Sequence, residues 1–171
     1  MTRSELEIII KKRAAFFIVT FAALLAFNAQ IGGSNSSKIQ ANTIAANNHW
    51  THYGTKNVKA TIATGNAKMA EADGRPHMLK LAESFRQEAT RMREEPKDGM
   101  NDIAKSARAL EAERDRRAEL SPYFTYAGLA LQIGIVLSTA AILAVFLPLF
   151  YGSVVVGSFG VVLFTIGYLG V

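Results

Sequence analysis

The chain has 171 residues, half of them hydrophobic and 19% charged, with a net charge of +5 and no cysteine. So apolar a composition with so little charge exceeds what an ordinary soluble domain of this size carries. The missing cysteine excludes disulfides, thiolate metal sites, covalent haem attachment and cysteine nucleophiles. The positive excess is modest and interleaved with acids, unlike the one-sided basic patch of a nucleic-acid-binding surface, so no nucleic-acid partner is expected.

Residues 1–13 place Arg3, Lys11, Lys12 and Arg13 ahead of the apolar run Ala14–Ile31. That run has no ionisable side chain and predicts a first transmembrane helix over residues 14–31. A secretory signal peptide shares this layout. Cleavage, however, needs small residues at −3 and −1, and Phe27 spoils the one candidate site, after Ala29. An uncleaved anchor is expected. The basic N-terminus then belongs in the cytoplasm and residues 32–122 on the far side, periplasmic in a bacterial inner membrane. Arg108, Arg114, Arg116 and Arg117, ahead of the second span, pull the other way. The expectation rests on the first span, which usually sets orientation, and on the weak effect of charge in long loops.

Gly32, Gly33 and Ser34–Ser37 read as a flexible exit from this span. Beyond them, Gly74-Arg75-Pro76 and Pro96-Lys97-Asp98-Gly99 punctuate an otherwise helical segment. They predict helices over Lys38–Asp73, His77–Glu95 and Met100–Leu120. In the second, Met78, Ala82, Phe85, Ala89 and Met92 share one face; in the third, Ile103, Ala107 and Leu110 do. These stripes are narrow and alanine-rich, so each buries little area. They suit helices laid together as a hairpin or coiled coil, completed by partner helices, most simply from identical chains. A loose stalk is the alternative.

From Tyr123 onward no Asp, Glu, Lys, Arg or His remains. The tract is long enough for two spans, and Pro148 marks the break. Residues 123–147 and 148–171 are thus the second and third transmembrane helices; the third helix of the middle segment is expected to run on into the second span, with Ser121-Pro122 marking a new N-cap and first turn. Gln132 reads as the one strongly polar side chain well inside a span and is expected to hydrogen-bond a neighbouring helix. Ala130, Gly134 and Ser138 recur every four residues around it, and Ser153 and Gly157 repeat the spacing in the third span. This small-residue pattern lets helix backbones approach closely. The fold expectation is an all-α membrane protein with three transmembrane helices and an extramembrane helical hairpin between the first and second.

No constellation of acid, base and nucleophile occurs, nor a nucleophile elbow or a glycine-rich phosphate loop. His49 and His52 have the spacing of two metal ligands on a helix, but no nearby carboxylate completes the set. They read as an exposed polar pair. No catalytic, metal or cofactor site, no cofactor and no small-molecule substrate is expected, and intramembrane charges for a transport pathway are missing.

The stretch Ala46-Asn47-Asn48-His49-Trp50-Thr51-His52-Tyr53-Gly54-Thr55-Lys56-Asn57-Val58-Lys59 resembles the central motif of a bacterial membrane protein family, domain of unknown function 4337. The shared elements are a tryptophan, a tyrosine three on, and lysines three and six further. Tyr126-Ala127 and Leu131-Gln132-Ile133-Gly134-Ile135-Val136-Leu137 are similar to the family's Leu-Gln-Ile-Ala-Ile-Val-Leu stretch. The resemblance covers most of the chain and implies its three-span topology, with no activity, cofactor or partner attached. Where family members carry basic residues between the last two spans, this chain has Leu147-Pro148-Leu149. In physical terms Trp50, Tyr53 and Val58 are expected near one another on a helix, with Lys56 and Lys59 toward an adjacent side, and the aromatic pair anchors either a partner surface or the packing of this chain's own helices.

The functional expectation is a non-enzymatic membrane protein, embedded in lipid, that self-associates or serves as an accessory subunit of a larger membrane complex. The alternative is an oligomeric pore or gating protein with a hydrophobic constriction.

Overall fold

The computed structural model describes residues 3–170, with side chains described from Glu5 onward apart from that of Leu6. The side chain of Arg3, counted above in the N-terminal charge, and Val171, at the end of the expected third span, lie outside that description. The described chain is all-helical: α1 (Arg3–Asp73), α2 (Pro76–Glu94), α3 (Met100–Ala144) and α4 (Leu147–Gly170). Stretches of α1, α3 and α4 are long and apolar enough to cross a membrane.

Two compact units arise from these helices. The first combines residues 1–39 with 116–171, and the second is residues 40–115. In the first unit Ile10 and Ala14 of α1 pack with Ala141 of α3 and Phe150 of α4. Further along, a side chain on Gly32 would stand 3.1 Å from Phe124, and Asn35 donates to the Arg117 carbonyl at 3.0 Å. The first part of α1 therefore runs antiparallel to the last part of α3. In the second unit the buried positions are mostly alanines: Ala60, Ala63, Ala67 and Ala70 on α1, Ala82 and Ala89 on α2, Ala107 on α3. Alanine is the best helix former and its methyl lets helix axes come close, so the sequence trades buried volume for proximity.

Three sequence expectations need correction. Gly32–Ser37 is not a flexible exit but continuous α1. Each glycine inside a helix costs about 1 kcal/mol relative to alanine. At Gly32 the missing side chain admits Phe124, and Asn28 and Asn35 tie the neighbouring turns to α3 carbonyls. The third middle helix does run on into the apolar stretch as α3, but Ser121-Pro122 makes no new N-cap within it. Proline there only removes one amide donor from the ladder, leaving the Ala118 carbonyl without its helical partner.

The third correction moves the hairpin break from Pro148 to Val145-Phe146. Pro148 falls in the first turn of α4, where a missing N–H is harmless. Val145 has φ 50°, and Phe146 N–H reaches back to the Ala141 carbonyl at 3.3 Å. That six-to-one bond is the Schellman way of ending a helix, here with a β-branched residue at the left-handed position usually given to glycine.

Candidate helix-association sites

Within the first unit, most of the small residues singled out in the sequence meet each other. Ser138 Oγ donates to Ser153 Oγ at 2.9 Å, and Ser153 Oγ donates to the Phe150 carbonyl at 2.7 Å; both serines are fully buried. Each hydroxyl thus finds an acceptor inside the apolar unit, where an unpaired one would cost several kcal/mol. One turn away Gly134 and Gly157 face each other: a Cβ on Gly134 would stand 3.1 Å from the Gly157 Cα. Ala130, buried, packs toward Gly160. The small-residue face is therefore occupied by α3 and α4 of the same chain.

Phe21 of α1 locks this crossing. Its ring occupies the space that a side chain on Gly157 would need, with ring carbons 2.1–2.7 Å from the position of a Cβ there, and it lies 3.2 Å from the one on Gly134. The two glycines form a socket and the phenylalanine fills it. Nothing in the sequence pairs residue 21 with residues 134 and 157, because the contact is long-range. Asn28 was also missed. It is 5% exposed and its amide donates to the Phe124 carbonyl at 2.9 Å. A short polar side chain near the end of an apolar run carries no periodic signal, and its role emerges only from the carbonyl opposite.

Gln132 lies elsewhere. Its side chain is exposed on the outer face of α3, between exposed Leu129, Ile133 and Val136, and its amide has no hydrogen-bond partner among the described residues. The expectation that it bonds a neighbouring helix is not met within one chain.

In the second unit the Trp50 motif faces inward. Trp50 Nε1 donates to Glu111 Oε1 of α3 at 2.8 Å, and its ring meets Tyr53 edge-on with centroids 5.6 Å apart. Lys56, its side chain only 12% exposed, reaches the α2–α3 connection. There its ammonium donates to both the carbonyl and the carboxylate of Asp98, with Glu95 at 4.0 Å. This hydrogen bond, above all, holds the Asp98 carboxyl below its ordinary value; the Lys56 charge and His52, 3.7 Å away, act in the same direction. The connection itself is tightly wound: Lys97 has φ 71°, and a side chain on Gly99 would stand 2.6 Å from the Glu95 carbonyl oxygen. Lys59 and Ile62 are exposed at the rim of a groove of about 430 Å³ between α1 and α2, floored by the half-buried Phe85 and Met92.

His49 and His52 join no cluster of three or more potential metal ligands among the described residues. No curated protein and no solved structure matches the chain. Residues 10–170, by contrast, match the family described as domain of unknown function 4337. With the Trp50 motif and the α3 stretch around Gln132 both inside that match, the chain belongs to the DUF4337 family.

Proposed function

We propose that this is a non-enzymatic integral membrane protein of a bacterial inner membrane that works by assembly, either with itself or as an accessory subunit of a larger complex. The observation that supports the reading is Gln132. An amide on the outer face of a charge-free span has no hydrogen-bond partner among the described residues of its own chain, and hydrocarbon offers none. Another protein helix does. The small-residue face, by contrast, is already used within the chain, so assembly draws on the outer face of α3 instead.

The proposed orientation has the basic N-terminus in the cytoplasm and residues 32–122 in the periplasm. The Val145-Phe146 turn packs at the same end as Ile10 and Ala14, near Lys11, Lys12 and Arg13, and an uncharged turn is compatible with that side.

Native mass spectrometry of the chain released from membranes in mild detergent tests the reading. An oligomer or a stoichiometric co-purifying subunit is expected, weakened in Gln132→Leu. A monomer without a bound subunit overturns it.

A further inference from the structure

The stretch of α1 inside the second unit carries two faces, each repeating every seven residues. One is used within the chain: Ala46, Tyr53, Ala60 and Ala67, with Lys56, Ala63 and Ala70 between them, are buried or half-buried. The other lies two residues away in phase, about 200° around the helix. Its first row is Ile44, Thr51, Val58 and Gly65, and its second is Asn48, Thr55, Ile62 and Met69. All of these positions are exposed, and Ile44, Val58, Ile62 and Met69 are each 57–68% exposed.

The spacing alternates four and three through four heptads, the pattern of a coiled-coil seam, with Asn48, Thr55, Ile62 and Met69 at the a positions and the other row at d. None of the eight is charged, although a solvated helix face ordinarily carries charge. The flanks fit as well. In a parallel pair Lys59 faces Gly54 of the other copy, so no like charges oppose each other there. Asn48 is a single asparagine at an a position, the device that fixes register in parallel pairs because its amide bonds its own counterpart.

We propose that this seam is a homotypic interface: a second copy of this chain lays its α1 parallel against it, in register. The orientation follows from membrane insertion, since two copies inserted with the same topology present the same seam in the same direction. Confinement to the bilayer raises the effective concentration, so a seam of only moderate apolarity suffices. The groove beside Ile62, floored by Phe85 and Met92, accepts side chains of the incoming helix. The inference rests on the assembly reading above and names its partner and its face.

The chain has no cysteine, so single cysteines report without background. Thr55→Cys and Ile62→Cys stand on the seam, and Glu83→Cys on an exposed part of α2. The full-length variants are oxidised in membrane vesicles, with helicity checked by circular dichroism. Disulfides form only between Cβ atoms about 4 Å apart, so the two seam variants are expected to yield about tenfold more covalent dimer than Glu83→Cys. Equal yields from all three overturn the seam as random collision. No cross-link at the seam alongside an oligomer by native mass spectrometry overturns the seam and leaves the assembly reading standing. A monomer by both measurements overturns both.

Discussion

At Gly157 even a methyl group would stand 2.1 Å from the Phe21 ring, whereas at Gly152, one and a half turns earlier on the same helix, nothing lies within 4 Å. The two glycines are alike in sequence context and opposite in consequence. Gly157→Ala is expected to lower the thermal midpoint in detergent, by an overpacking cost of about 1–3 kcal/mol. Gly152→Ala is expected to leave the midpoint unchanged or raise it, since alanine is the better helix former by about 1 kcal/mol. Equal responses would mean that Phe21 does not sit in the glycine socket. Sequence spacing located Gly134, Ser138, Ser153 and Gly157 but not what they meet. Small residues announce a close approach without naming the partner, and Phe21 looks like any other lipid-facing aromatic.

At the scale of elements, the connection between α2 and α3 depends on Lys56 reaching across from α1. Asp98 is held below its ordinary value of 3.8 by that hydrogen bond. A carboxylate with a lowered folded value contributes stability above its unfolded value, and that contribution vanishes as the pH falls through the folded one. Asp98→Asn should therefore melt below the wild type at pH 7 by a small margin, as exposed pairs give little. The margin should close below about pH 4. Thermal melts followed by circular dichroism from pH 7 to pH 3 check this; curves that stay parallel would exclude Asp98 as the source. The punctuation at Gly74 and Gly99 was legible because it depends on local backbone geometry. The continuity of α1 through Gly32-Gly33 was not, because Phe124, Asn28 and Asn35 decide it from a distance.

For the molecule as a whole, charge and hydropathy along the chain were enough for an all-helical protein with three potential spans, as composition dominates that decision. The Trp50 motif was legible as an anchor but ambiguous in direction. Only Glu111, sixty-one residues away, turns it inward. The proposed orientation makes its own prediction. A cysteine at Asn57 should react with a membrane-impermeant maleimide added to intact cells, and one at Thr2 only after permeabilisation; the reverse pattern would invert the topology. Between α3 and α4 the chain has just two residues, Val145 and Phe146, neither charged. For biogenesis this leaves no polar stretch at which the translocation machinery can hold one span while the other follows. The paired serines and facing glycines also leave α3 incomplete until α4 has been synthesised. On the proposed membrane reading the two helices are expected to enter the bilayer as one cargo, and a ribosome stalled near Ala144 would strand a helix whose mate has not been made.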